Sequence, residues 1–190
     1  KPDFAEAYYN RGLAYADKGE YDRAIADYDQ AIRLKPDFAE AYYNRGNAYA
    51  KKGEYNRAIA DYDQAIRLKP DYAEAYNNRG NAYAKKGEYN RAIADYDQAI
   101  KLKPDFAEAY NNRGVAYYHK GDYDRAISDY DQAIRLKPDF AEAYYNRGVA
   151  YKLQGRKEQA IADFLKVLEL SRYPYLWQQA EKQLEELGVR

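Results

Sequence analysis

The sequence predicts an all-α protein, a right-handed superhelical solenoid of antiparallel helix pairs. Three observations carry that expectation. A 34-residue period runs through nearly the whole chain of 190 residues. Apolar residues inside each period follow helical spacing. Gly and Pro stand at fixed places between the helical runs. Residues 39–72 and 73–106 align without gaps and differ only at Tyr43/Asn77, Arg67/Lys101 and Tyr72/Phe106. The same frame fits 5–38, 107–140 and 141–174, so residues 1–190 read as a single array with a capping helix at 174–190. The remainder leaves no room for a separate catalytic domain.

Within a period the first helix is expected to open at Pro36-Asp37, with Asp37 as its cap and Glu40 completing a capping box. Lys51-Lys52-Gly53 closes it, cations lying against the negative helix end and Gly taking a left-handed conformation. A second helix is expected from about Glu54 to Leu68, ending before Pro70. Tyr42, Gly46 and Tyr49 share one face of the first helix. Tyr55, Ala58, Ile59, Tyr62, Ala65 and Ile66 recur at three and four residues along the second. One hairpin cannot enclose its own apolar face, but stacked copies bury a continuous core. At the C-terminal end Pro174 opens a helix whose stripe of Trp177, Ala180, Leu184 and Leu187 should close the stack, with Trp177 read as core. The N-terminal face, preceded only by Lys1–Phe4, has no such cover.

Composition narrows the function. Lys+Arg and Asp+Glu both number 31, a formal charge of zero, whereas a general nucleic-acid binder usually needs a basic excess. No apolar run approaches the roughly 20 residues of a membrane span. There is no Cys and one His, His119, which excludes disulfides, thiol catalysis and Cys- or His-based metal clusters. The chain opens on Lys1 without a signal-peptide pattern and reads as an excised or processed piece. Its compartment stays open, with the cytoplasm the default expectation.

These residues resemble the tetratricopeptide repeat family over essentially the whole chain. That family has a 34-residue helix-turn-helix unit with Trp, Leu-Gly, Tyr, Ala, Phe, Ala and Pro at set intervals. Here the Trp place holds Tyr8, Tyr42, Tyr76, Tyr110 and Tyr144. The Phe place holds Tyr28, Tyr62, Tyr96, Tyr130 and Phe164, while Gly46, Tyr49, Ala58, Ala65 and Pro70 match directly. One departure is systematic: the Leu before Gly is replaced by Arg11, Arg45, Arg79, Arg113 and Arg147. Each guanidinium either leaves the interhelix seam to pair with an Asp such as Asp27, Asp61 or Asp95, or lies solvated along the surface.

No constellation suggests catalysis. The repeated Asp-Tyr-Asp (Asp61 and Asp63, for example) lies inside a helix, where residues two apart point to different faces, unlike the Gly-containing loop of a calcium site. His119 stands where Lys51 and Lys85 stand in other repeats and reads as an exposed substitute for Lys. Near-identical repeats also lack the unique arrangement of dissimilar groups that chemistry requires. We therefore expect no enzyme, no cofactor and no metal.

The resemblance implies a concave groove lined by the first helices and holding an extended or short helical peptide. On this sequence that face carries Asn10, Asn44, Asn78, Asn112 and Asn146. A carboxamide offers both a donor and an acceptor, matching a peptide backbone; the alternative is that these Asn face solvent or bond locally. Beside the ladder stand Tyr9, Tyr43, Asn77, Asn111 and Tyr145. One turn along come Leu13, Asn47, Asn81, Val115 and Val149, then Ala16, Ala50, Ala84, Tyr118 and Lys152. Asp17, Lys51, Lys85, His119 and Leu153 are expected at the groove edge. A clamp for a C-terminal carboxylate, known among relatives, is disfavoured because Glu40, Glu74, Glu108, Tyr43 and Asn77 stand where cations would be needed. The expected function is a non-catalytic scaffold for a protein or peptide segment, without nucleic acid or membrane. The alternatives are a structural module that self-assembles end to end through its N-terminal face, and an engineered repeat module.

Overall fold

The computed structural model describes residues 2–189, with side chains from Phe4 to Val189. These residues form eleven helices and no strand. Their contacts divide the chain into two compact units, 1–103 and 104–190.

The first unit holds α1 (Pro2–Asp17), α2 (Tyr21–Leu34), α3 (Ala39–Lys51), α4 (Tyr55–Leu68), α5 (Ala73–Lys85) and α6 (Tyr89–Leu102). Each odd-numbered helix packs on the even-numbered helix that follows, and α3 and α5 pack also on α2 and α4 before them. The second unit repeats this with α7 (Ala107–His119), α8 (Tyr123–Leu136), α9 (Ala141–Leu153) and α10 (Lys157–Leu170), and adds α11 (Pro174–Glu186) against α10.

The turn inside each hairpin is closed as the Lys-Lys-Gly signal predicts. Gly53 has φ +78, its N–H reaches the Ala50 carbonyl at 3.0 Å, and the Glu54 N–H reaches the Tyr49 carbonyl at 2.9 Å. Those two bonds satisfy carbonyls the helix end would otherwise leave open.

The start of the first helix corrects the sequence expectation. Ala39 is the first helical residue of α3, and the capping position belongs to Phe38, without a side-chain cap bond. Asp37 contributes only its carbonyl, which accepts from the Ala39 N–H at 3.1 Å. The Phe38 ring explains the shift: it is buried and lies 4.8 Å from the Tyr9 ring. Burial of an aromatic at this place outweighs a side-chain cap worth about 1 kcal/mol.

Inside each hairpin an aromatic ring lies against a glycine, a tyrosine in the first four and Phe164 against Gly148 in the last. Tyr62 is buried in α4, and a Cβ on Gly46 would sit 2.8 Å from its Cε1. Ala58, Ile59 and Ala65 complete the same buried face. Burying an Ile side chain stabilises by roughly 1.5–3 kcal/mol, and Ile25, Ile59, Ile93 and Ile127 repeat it.

The last helix closes its unit, although not with the residue expected. Ala180 and Leu184 are fully buried, with Leu176 and Leu187 packed beside them. Trp177, expected in the core, keeps 36% of its surface exposed. The reason is helical phase: the inward stripe runs through Leu176, one residue before Trp177.

Candidate functional site

The seam between paired helices is electrostatic. Arg45 Nε donates to Asp61 Oδ2 at 2.8 Å and its Nη2 to Oδ1 at 2.6 Å, a two-pronged grip on a buried carboxylate. Arg11–Asp27, Arg79–Asp95, Arg113–Asp129 and Arg147–Asp163 repeat it. Pairing, rather than solvation along the surface, is therefore the fate of these Arg. A second contact was not legible beforehand. Arg45, Arg79 and Arg147 turn Nη1 onto Asp29, Asp63 and Asp131 of the preceding repeat. In Asp-Tyr-Asp the first Asp thus closes its own hairpin, the Tyr fills it, and the second Asp ties it to the next.

One residue before each of these Arg, on a neighbouring face of the first helices, the ladder Asn residues are half-buried and already bonded, apart from the exposed Asn10. Asn44 Nδ2 donates to the Tyr9 hydroxyl at 2.9 Å and to the Glu40 carbonyl at 3.0 Å. Asn78 Nδ2 donates to the Tyr43 hydroxyl at 3.0 Å and to Asn47 Oδ1 at 2.9 Å. Asn146 Nδ2 reaches Asn111 Oδ1 at 3.0 Å, and Asn112 is engaged too. The residues expected to flank the ladder are thus its partners. Tyr9 and Tyr43 also lean on Phe38 and Tyr72, both at 4.8 Å between ring centroids. Tyr145 leans on Phe164 at 5.7 Å. Asn77 and Asn111 are buried. A signal for this existed: the flanking place holds only Tyr or Asn, both able to accept a hydrogen bond. Burial pushes the Tyr9 and Tyr43 hydroxyls above the ordinary tyrosine range, against the opposing Asn hydrogen bonds, so both stay neutral.

Beside the ladder in the first unit lies a groove of 410 Å³. Asn47, Lys51, Asn78, Asn81 and Lys85 line it together with Ala50, Tyr55, Tyr62 and Ala82. The Tyr62 hydroxyl, assigned to the core alone by its spacing, donates to Asn47 Oδ1 at 2.8 Å, as Tyr96 does to Asn81. The same register in the second unit forms a groove of 270 Å³ lined by Val115, Tyr118, His119, Tyr130, Tyr145, Asn146 and Val149. The first is rich in amides and ammonium groups; the second is apolar and aromatic.

Among the described residues no cluster of three or more His, Cys, Asp or Glu could hold a metal ion, and no helix is long and apolar enough to cross a membrane.

Helix hairpins stacked over a lined groove define a helical-repeat interaction scaffold. The chain belongs to the tetratricopeptide repeat family: the description "TPR repeat" matches residues 14–53, 46–87, 80–121 and 116–155, and "Tetratricopeptide repeat" matches 141–173. Among solved structures it is similar to MamA at 31% identity, with 92% of this chain and 96% of that one covered and a TM-score of 0.76. The MamA segment 41-end from Desulfovibrio magneticus RS-1 matches at 25% identity, over 90% and 96% of the two chains, with a TM-score of 0.81. YrrB, described as a TPR protein with an unusual peptide-binding site, matches at 27% identity over 92% and 90%, with a TM-score of 0.72. No curated protein sequence matches the chain. The fold is thus a tetratricopeptide solenoid, of a kind that serves as a protein-interaction scaffold.

Proposed function

We propose that the chain is a non-catalytic scaffold whose first helices hold an extended or short helical peptide segment. The observation that carries this reading is the groove of 410 Å³, which gathers Asn47, Lys51, Asn78, Asn81 and Lys85 around one space. YrrB, a structure of similar fold, is described as having a peptide-binding site.

The hydrogen-bond inventory refines what the groove offers. Asn78 commits its Nδ2 to Tyr43 and Asn47, and its Oδ1 accepts one bond, from Asn77 at 3.1 Å. A carboxamide oxygen has two lone pairs, so Asn78 keeps one for a peptide N–H. Asn81 accepts from Tyr96 and keeps its amide donors for a peptide carbonyl. Lys51 and Lys85 are exposed at the edge and favour an acidic or carbonyl-rich segment. In the second unit Val115, Tyr118 and Val149 favour an apolar side chain. One such segment would reach roughly micromolar affinity, about −8 kcal/mol.

The test is a peptide-library capture comparing the native chain with Asn81→Ala/Lys51→Glu/Lys85→Glu, with circular dichroism confirming equal helicity. Loss of the captured acidic peptides supports the groove. Equal capture by both proteins overturns it.

A further inference from the structure

One place near the end of each first helix changes character from hairpin to hairpin: Asp17, Lys51, Lys85, His119 and Leu153 occupy it in turn. Only α3 and α5 set two ammonium groups in succession there, and both line the groove of 410 Å³ in the first unit. The adjoining Lys52 and Lys86 pair with Glu54 and Glu88 at 2.9 and 2.6 Å. Lys51 and Lys85 have no ion pair among the described residues, and no acid lines the groove beside them.

The neutral groups of the groove are biased the same way. Asn47 Oδ1 accepts from the Tyr62 hydroxyl at 2.8 Å and from Asn78 Nδ2 at 2.9 Å, which fills both lone pairs of a carboxamide oxygen. The side-chain oxygens of Asn78 and Asn81 each accept one bond already. By contrast Asn81 Nδ2, the Tyr55 hydroxyl and both ammonium groups have no acceptor among the described residues. Open donors therefore outnumber open amide acceptors, and two of them carry full charge. A peptide backbone brings N–H and C=O in equal number and no charge, so it leaves this surplus unmet. A phosphoryl monoester meets it, with about −1.5 to −2 charge at neutral pH on three acceptor oxygens. Hydrogen bonds from ammonium or amide N–H to such an oxyanion are about twice as strong as neutral ones. A carboxylate offers one charge on two oxygens.

We propose that the groove of α3 and α5 selects a peptide segment carrying a phosphorylated serine or threonine, its phosphoryl group seated between Lys51 and Lys85. The inference rests on the groove being the peptide site and adds the chemistry of its guest. The short Cβ–O link of these residues keeps the peptide backbone within reach of Asn78, where a phosphotyrosine ring would hold it away. Asn81 and the Tyr55 hydroxyl supply neutral donors to the remaining oxygens. In the second unit Val115, His119 and Val149 stand at the places of Asn47, Lys51 and Asn81, so the selectivity belongs to the first unit.

The test offers the full chain three matched peptide libraries that fix phosphoserine, serine or glutamate at the centre and vary elsewhere. The phosphoserine set should bind about tenfold more tightly than the serine set and about fivefold more tightly than the glutamate set. Lys51 and Lys85 are exposed, so Lys51→Gln/Lys85→Gln should leave the fold intact and remove the preference. Lys52→Gln/Lys86→Gln, the same loss of charge one residue away, should keep it. Equal binding of the phosphoserine and glutamate sets would overturn the proposal, as would a preference that survives Lys51→Gln/Lys85→Gln. Equal binding of the phosphoserine and serine sets would overturn it too, while leaving the peptide groove standing. Capture of none of the three would remove both.

Discussion

Arg79 holds Asp95 by two parallel bonds, Nε at 2.8 Å and Nη2 at 2.6 Å, and turns its remaining Nη1 onto Asp63 of the preceding repeat at 2.6 Å. One side chain therefore closes a hairpin and ties it to its neighbour. Burial first, with the nearby Asp63 charge adding to it, lifts the Asp95 carboxyl above its ordinary range, and Arg79 is the main group that opposes this. Removing the guanidinium by Arg79→Ala should cost about 2–4 kcal/mol, because a buried carboxylate loses its partner. Thermal unfolding measures it. Adding Asp95→Asn to that variant should recover part of the loss, and no loss in the single variant would reduce the pair to decoration.

Gly46 is a position of close approach. An added Cβ would meet Tyr62 Cε1 at 2.8 Å, Cδ1 at 3.0 Å and the Ala58 carbonyl oxygen at 3.3 Å. The Tyr62 ring is enclosed and cannot withdraw freely. Gly46→Ala should destabilise by about 1–3 kcal/mol despite the better helix propensity of Ala. Urea unfolding checks the sign; a more stable variant would show that the ring has room to move.

Tyr28 differs from the equally buried Tyr62 and Tyr96. Its hydroxyl is buried without a hydrogen-bond partner, whereas Tyr62 and Tyr96 donate to Asn47 and Asn81 at 2.8 Å. The difference is one residue, since Leu13 stands at the place of those Asn. Leu13→Asn should supply the acceptor and raise stability by about 0.5–1.5 kcal/mol. The converse change, Asn47→Leu, should orphan Tyr62 and lower the melting temperature.

Asp122 caps α8, accepting from the Arg125 N–H at 3.2 Å. The Arg125 guanidinium first, and that backbone N–H second, hold its carboxyl below the ordinary value of 3.8. A carboxyl depressed in the folded state contributes stability above its unfolded value, and that contribution is lost as pH falls through its folded value. Asp122→Asn keeps a capping oxygen but removes the charge. The native protein should therefore be the more stable at neutral pH, and the gap should close as pH drops below 3.8. Melting temperatures of both proteins across that range decide the matter.

Much of the architecture could be read from the order of residues alone. The period gave the helix pairs, Gly53 marked the turn, Gly46 and Tyr62 fell on the apolar faces of the first and second helices, and the first Asp of Asp-Tyr-Asp was a candidate mate for Arg. All of these follow from repetition and from helical phase within one hairpin. Tertiary structure decided the rest: that Phe38 displaces Asp37 from the cap, that Leu176 faces inward instead of Trp177, and that Asp29 and Asp63 reach across to the next repeat. It also decided that Asn44, Asn78 and Asn146 bond 35 residues back before meeting any guest. The physical reason is offset. Helical periodicity says which side chains share a face, but a hydrogen bond between stacked helices depends on how far one has slid and turned along the other, and packing alone sets that distance.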